Sequence, residues 1–194
     1  MSWFQSSTPE EYARNHASAS DIVACFNAEN ALLGKLAFLI TGDQRTADQA
    51  LARACDTTLH RNTPFRDWLS EWVKTTTISS AIFQRAQAIR ICEPHYMTRR
   101  CTHAGHLWQG DAEERATTLR QILEADTQRL IEELDPLCRA VMVLRVAVRS
   151  SIQDCALRLN VCRAAVLGAN CHVMTWLQRC AEQRPILGAN PPVS

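Results

Sequence analysis

The sequence has almost no net charge. Its 194 residues include 21 basic and 20 acidic side chains, which leaves a formal charge of +1 at neutral pH. A protein with so small a net charge has no bulk electrostatic attraction to nucleic acid or to a membrane surface. Any contact with nucleic acid therefore has to come from a local basic patch.

A long apolar run is also missing from the sequence. The N-terminus has neither the basic lead nor the apolar core of a signal peptide. The most apolar stretch, residues 31–40, is interrupted by Lys35 and is half as long as the roughly 20 residues that span a membrane. We therefore expect a cytoplasmic protein with no membrane partner.

Sequence motifs of catalysis are absent as well. The chain has no glycine-rich phosphate loop, no plausibly supported Ser-His-Asp set and no paired carboxylates in a predicted cleft. Its nine cysteines include no C-x-x-C pair. Their odd number and wide spread favour reduced thiols that act as small hydrophobic side chains. We expect neither enzymatic activity nor a cofactor.

Residues that favour helix formation are frequent in the sequence. Alanine, leucine and arginine are frequent, whereas aromatic residues make up only 6% of the chain. Apolar residues recur at spacings of three and four from Asp21 to Ile40, and the sequence TGD at 41–43 predicts the end of that helix. Another helix is predicted after Pro64, with an inward apolar face formed by Phe65, Trp68, Leu69, Trp72 and Val73. The predicted fold class is all-α, since no segment shows the alternation of a strand.

Residues 92–115 differ in composition from both of their flanks. They contain a proline, two glycines and several histidines, and they have no long apolar period. This composition predicts a linker between two small helical domains, at residues 20–91 and 116–182. Residues 183–194 are expected to form a disordered tail.

The segment Ser151–Met174 has the pattern of a helix-turn-helix. Ala156 supplies a small residue where the second helix crosses the first, and Asn160 tolerates the left-handed backbone conformation of the turn. Val166 falls where the second helix must point into the core. Other helical hairpins share this pattern, so it favours DNA recognition without establishing it.

The order of these parts resembles the extracytoplasmic-function sigma factors of bacterial RNA polymerase. The resemblance covers residues 22–180. It implies that a region-two-like first domain binds the polymerase clamp and melts the minus-ten promoter element. It also implies that a region-four-like last domain places its recognition helix in the major groove of the upstream element. The residues that carry the resemblance are Ile40–Asp43, Ala47–Asp48, Phe65–Arg66, Trp68–Leu69, and Leu134, Pro136, Arg139, Val141, Leu144 and Arg145.

The resemblance implies a transcription-initiation protein with two sets of contact residues. Residues 139–179 are locally basic, with six arginines against a single acidic residue. Within the DNA set, Arg163 suits a guanine and Asn170 suits an adenine. The RNA polymerase core is expected to contact Asp43, Asp48, Gln49 and Leu51. Promoter DNA is expected to contact Arg149, Ser151, Arg163, Asn170 and His172.

The sequence departs from the family where those contacts are made. Gln49 and Arg53 stand where the family tends to have acidic residues, and Leu167 and Ala169 stand where it has Lys and Arg. If Leu157 and Leu167 are exposed rather than buried, they form an apolar partner surface. The alternative is therefore a divergent sigma-like interaction module or regulator that has lost promoter recognition. Its partner would be an anti-sigma protein or another protein.

The predicted linker concentrates thiol and imidazole side chains, which are preferred zinc ligands. Their spacing matches no familiar zinc finger, and two arginines beside them would repel a cation. No metal site is therefore assigned, and a metal- or thiol-responsive regulator remains a third hypothesis. The residues concerned are Cys92, His95, Cys101, His103 and His106.

Overall fold

The computed structural model describes residues 14–60, 64–98 and 127–183, and every regular element in these ranges is a helix. The all-α class is therefore confirmed. A short 3-10 turn, Arg66–Trp68, comes between the second and third helices. In chain order the helices are α1 (Ala19–Thr41), α2 (Gln44–His60), α3 (Leu69–Met97), α4 (Thr127–Glu133), α5 (Pro136–Ala147), α6 (Ile152–Leu159) and α7 (Arg163–Gln183).

Local signals set both ends of α1. The Ser18 hydroxyl accepts a hydrogen bond from the Asp21 N–H, and the Asp21 carboxylate accepts one from the Ser18 N–H, which completes a capping box. The helix ends at Gly42, whose φ of 77° lies in the left-handed region. The helix end predicted from the TGD sequence at 41–43 is confirmed.

By length and composition alone, α1 meets the criteria for a membrane-spanning helix. Core helices of globular proteins meet the same criteria. In this fold α1 packs against α2 and α3, and Leu33, Leu36 and Ile40 on its inner face are buried. The inner face of α1 thus lies in the core, although only 33% of its most apolar window of 18 residues is buried.

The predicted inward face of α3 is wrong in part. Leu69 and Val73 are buried, whereas Phe65, Trp68 and Trp72 are exposed. The reason is that α3 begins only at Leu69, so the two aromatic residues before it do not follow its period. Trp72 lies about 100° around the helix axis from Val73, because each residue of an α-helix advances by that angle.

The third helix also runs beyond the predicted start of the linker at residue 92. It continues to Met97 although it contains Pro94, a residue that removes a backbone hydrogen bond. Tyr96 in the last turn is buried and holds this end of the helix in the core. Residues 99–126 of the chain lie outside the described residues, as do residues 184–194 of the predicted tail.

Helices from both sides of the predicted linker share one hydrophobic core. Helix α3 lies at its centre and packs against α1 and α2 on one side and against α5 and α7 on the other. The cluster joins Ile40, Ile78 and Ile89 to Leu144 and Trp176. A smaller cluster holds the outer ends of α1, α2 and α3 together. The division into two domains remains a prediction.

Candidate nucleic-acid interface

Helices α6 and α7 are joined by a tight turn at the place where the sequence predicts a helix-turn-helix. Asn160 ends α6 with φ 51° and ψ 49°, the left-handed conformation expected at the turn. Ala156 and Val166 are both buried where the two helices meet. The three packing positions are confirmed, and they place the first residue of α7, Arg163, immediately after the turn.

Three of the five predicted DNA contacts are exposed, and together with Arg158 we call them the exposed edge of this motif. Arg149 and Ser151 are exposed just before α6, and Arg163 is exposed at the start of α7. Arg158 on α6 is exposed as well. This edge presents guanidinium groups that can reach phosphates, which is a sequence-independent mode of contact.

The other two predicted contacts lie on the covered side of α7. Asn170 is only 3% exposed, so in this conformation its amide is out of reach of a base edge. His172 is half-buried, and its ring centroid lies 6.0 Å from that of Tyr96 on α3. The helix that would read the major groove is therefore packed on the N-terminal part of the protein.

Gly168 lies against the last turn of α3. A Cβ atom at this position would lie 2.5 Å from the Tyr96 carbonyl oxygen, a distance that side chains do not tolerate. Ala169, which stands where the family has a basic residue, is fully buried. The small residues at positions 168 and 169 thus fit the packing inside the protein, because a long basic side chain has no room there.

Polar contacts tie α3 to the C-terminal helices around this point. The Tyr96 hydroxyl donates to the Asp135 carboxylate, and the Cys138 thiol lies 3.2 Å from the same hydroxyl. One turn earlier, Glu93 accepts a hydrogen bond from the Cys162 N–H at 2.6 Å. Burial raises the pKa values of Tyr96 and Cys138 further above neutral pH.

The basic patch predicted for residues 139–179 is smaller than the count of arginines suggests. Arg139 is only 4% exposed, and its Nη1 donates to the carbonyl oxygens of Ile131 at 3.0 Å and Leu134 at 2.7 Å. Arg145 is half-buried and donates to the Ser150 carbonyl oxygen at 2.7 Å. These two arginines serve the fold, because they satisfy backbone acceptors that follow or connect helices.

A second surface, which the sequence interpretation missed, lies before α3. Phe65 is 51% exposed and Trp68 is 68% exposed, and their ring centroids lie 6.1 Å apart in an edge-to-face arrangement. Both line a groove together with Arg14, Arg66 and neighbouring polar residues. We call Phe65, Arg66 and Trp68 the aromatic surface. The signal in the sequence was Pro64, because a helix that starts after it leaves the next aromatic residues outside the helical period.

Neighbouring residues hold the aromatic surface in place. The Arg66 guanidinium pairs with Asp21 at 3.1 Å and donates to the His16 carbonyl oxygen at 3.1 Å. The His16 ring packs on the Phe65 ring at a centroid distance of 4.4 Å. The positions of Phe65 and Arg66 are therefore fixed, while the outer face of the aromatic surface remains accessible to solvent.

The predicted polymerase contacts lie along the start of α2. Asp43 accepts a hydrogen bond from the Thr46 N–H at 2.8 Å, and this bond lowers the pKa of its carboxyl group. Asp48 accepts one from the Gln44 amide at 2.7 Å, and Gln49 is exposed beside it. Leu51 is half-buried against the smaller core cluster. The polar members of this set are thus available to a partner.

The structure places two of the residues considered as metal ligands at the end of α3. Cys92 is half-buried and His95 is exposed. Cys101, His103 and His106 lie outside the described residues. Within the described ranges, no group of three or more His, Cys, Asp and Glu side chains is placed to hold a metal ion. The metal-responsive hypothesis remains a prediction.

Replacement of Ser151 tests whether its side chain caps the beginning of α6. Its hydroxyl accepts a hydrogen bond from the Asp154 N–H at 3.0 Å, and Asp154 accepts one from the Ser151 N–H at 3.1 Å. We expect Ser151→Ala to lower the free energy of unfolding by about 0.5–2 kcal/mol, the usual cost of losing an N-cap. Chemical denaturation measures this change, and Ser151→Asp, which keeps a capping acceptor, is the control. Equal stability of the alanine variant and the wild type would contradict the capping role.

Comparison of the chain with protein-family models, with curated proteins and with solved structures finds no match. Two surfaces of the described residues are open to a partner. One is the exposed edge of the helix-turn-helix, and the other is the aromatic surface before α3.

Proposed function

We propose that this protein is a sigma-like transcription-initiation protein that binds RNA polymerase core and contacts promoter DNA as a single strand. The observation that carries the proposal is the aromatic surface. Exposed Phe65 and Trp68 side chains, held beside arginine, form the kind of platform on which unpaired bases stack. The resemblance to extracytoplasmic-function sigma factors is the basis for proposing RNA polymerase and promoter DNA as partners and the cytoplasm as the location.

Physical chemistry favours single-stranded over duplex DNA at the aromatic surface. A base offers its flat face to an aromatic side chain only after it has left the duplex stack. The groove contains Asp67 beside Arg14 and Arg66, and Arg66 already pairs with Asp21. Binding should therefore depend on stacking more than on charge. We expect a shallow salt dependence, with log K falling by about 0.7 per decade of salt for each phosphate contact.

The exposed edge of the helix-turn-helix supports a further contact with DNA. Arg149, Arg158 and Arg163 are exposed there and can contact phosphates. Asn170 is buried and His172 is half-buried, so neither reaches a base edge in this conformation. The exposed edge therefore offers electrostatic attraction to DNA phosphates without recognition of bases. Polymerase binding is proposed for the exposed polar residues of α2.

Binding and transcription assays together test the proposal. We expect a fluorescent single strand to bind more tightly than the duplex of the same sequence and to quench tryptophan fluorescence. Pull-down with RNA polymerase core, followed by run-off transcription, is expected to show both complex formation and promoter-dependent transcripts. Equal affinity for single strand and duplex would count against the role of the aromatic surface.

A second candidate function is a sigma-like interaction module that has lost promoter recognition. The observation that favours it is Leu157, which is 70% exposed on α6, with half-buried Leu167 on the following helix. An exposed leucine beside the turn suits an apolar partner such as an anti-sigma protein. Polymerase binding without promoter-dependent transcripts would exclude the first candidate and leave this one.

A further inference from the structure

We propose that a cleft lined by Arg85 and Arg139 binds a small zwitterion, a molecule that carries both a carboxylate and an ammonium group, such as a free amino acid. We call this cavity the arginine cleft. The inference goes beyond the proposed function, because the cleft includes neither the aromatic surface nor the exposed edge of the helix-turn-helix.

The arginine cleft lies where three parts of the fold meet. The turn between α1 and α2 lines it, as do the end of α4 with the beginning of α5, and α3 contributes Arg85 and Tyr96. Its volume of about 550 Å³ falls within the range of ~300–1,000 Å³ that is usual for small-molecule sites. The cleft therefore has room for an amino acid together with its side chain.

The fold holds the guanidinium of Arg139 in place beside the cleft. This residue is only 4% exposed, and its Nη1 donates to the carbonyl oxygens of Ile131 and Leu134. Its Nη2 lies against Gly42, which also lines the cleft, and a Cβ atom at Gly42 would lie 2.9 Å from Nη2. Nε has no hydrogen-bond acceptor among the described residues. Part of the donor capacity of Arg139 is therefore not used by the fold.

Arg85 brings a second guanidinium group to the same cleft. It is half-buried on α3, and it forms no ion pair with a carboxylate of the described residues. Burial, and then the positive charge of Arg85, lower the pKa of the Arg139 guanidinium. A carboxylate bound between the two groups would relieve this repulsion, and its two oxygens match the planar donors of arginine.

Carboxylates of the protein line the outer part of the cleft. Asp43 and Glu132 are exposed, whereas the two arginines are buried or half-buried, so the negative charges lie nearer to solvent. Each of these carboxylates accepts a hydrogen bond from a residue three or four positions away in the chain. A carboxylate accepts several hydrogen bonds, so an ammonium group can still bind to either one.

This arrangement of charges favours a zwitterion over a simple anion. The lining residues include two arginines but four acidic residues, namely Asp43, Glu132, Glu133 and Asp135. A dianion such as inorganic phosphate would be attracted by the arginines and repelled by the carboxylates. A zwitterion has a partner for each of its charges, because its carboxylate can approach the arginines while its ammonium group stays near Asp43 and Glu132.

The first test is a binding screen on the full-length protein. Saturation-transfer difference NMR detects binding of the standard amino acids at millimolar concentration. Calorimetry then compares the best binder with its amide, which lacks the carboxylate, with its N-acetyl derivative, which lacks the ammonium group, and with inorganic phosphate. We expect the amino acid to bind at least about tenfold more tightly than the other three probes. Failure of every amino acid to bind, or equal binding of phosphate, would overturn the inference.

The second test locates the bound molecule. Arg85→Gln removes one guanidinium, and Arg90→Gln is the matched control, because Arg90 is exposed on the same helix and does not line the cleft. We expect Arg85→Gln to weaken binding about tenfold or more, since a charge-assisted hydrogen bond is lost. The control should keep the wild-type affinity. A folded Arg85→Gln protein with unchanged affinity would place the ligand elsewhere and contradict the proposal.

A further variant decides the matter if Arg85→Gln fails to fold. Glu132→Gln changes an exposed residue at the outer part of the cleft, and Glu71→Gln is its control at an exposed position of α3 outside the cleft. We expect weaker amino-acid binding for Glu132→Gln only, with circular dichroism to verify the helical content. Equal affinities of these two variants would rule out the ammonium contact and with it a zwitterion site.

Discussion

Trp68→Ala is expected to weaken the binding of single-stranded DNA about 5- to 150-fold, because one base stacked on an aromatic side chain contributes ~1–3 kcal/mol. Trp68 is 68% exposed and lies outside both core clusters. Its removal should therefore leave the thermal unfolding midpoint close to that of the wild type. Fluorescence anisotropy with a labelled single strand measures the affinity, and calorimetry verifies the stability.

The matched control for this prediction is Phe83→Ala on α3. Phe83 is an exposed aromatic residue like Trp68, but it lies away from the groove and packs under Arg53 at 4.0 Å from the guanidinium carbon to the ring centroid. The control should retain wild-type affinity. If both substitutions weaken binding equally, the aromatic surface has no specific role and the loss reflects general hydrophobic contact.

Arg139→Ala is expected to lower the free energy of unfolding by about 2–4 kcal/mol, because each buried acceptor left without a partner costs roughly 1–3 kcal/mol. The side chain donates to the carbonyl oxygens of Ile131 and Leu134, near the end of α4. Release of a buried charge offsets part of this cost, since burial already lowers the pKa of this guanidinium. Denaturant unfolding gives the value.

Two further substitutions show whether Arg139 acts through the fold or through DNA. Arg158→Ala removes an exposed arginine of α6 and should change stability by no more than about 0.5 kcal/mol. Arg139→Lys keeps the charge but cannot present the same planar donors, so most of the loss should persist. A stable Arg139→Ala protein whose DNA binding is weakened would contradict the structural role.

The sequence alone predicted the helical class, the end of α1 and the packing positions of the helix-turn-helix. These features depend on contacts between residues near in sequence. Gly42 ends α1 because it takes a conformation that glycine adopts at little cost. Asn160 ends α6 for a related reason, since asparagine tolerates the left-handed region. Such signals do not change when the rest of the chain is rearranged.

The candidate site could be predicted only in part. The exposed positions of Arg149, Ser151 and Arg163 agree with the edge that the helix-turn-helix presents. The burial of Asn170 could not be foreseen from the motif, because it depends on a helix far away in the chain. The polymerase contacts on α2 remain predictions that rest on the resemblance.

Tertiary structure alone decided which faces of α3 and α7 contact each other and which aromatic residues are exposed to solvent. The bond between Tyr96 and Asp135 joins residues 39 positions apart, and Gly168 meets the Tyr96 carbonyl across a longer interval. Helical periodicity gives the spacing of an apolar face but not the identity of the helix that covers it. Burial is a property of the whole packed chain, and that is why Arg139 lies inside while Trp68 lies in solvent.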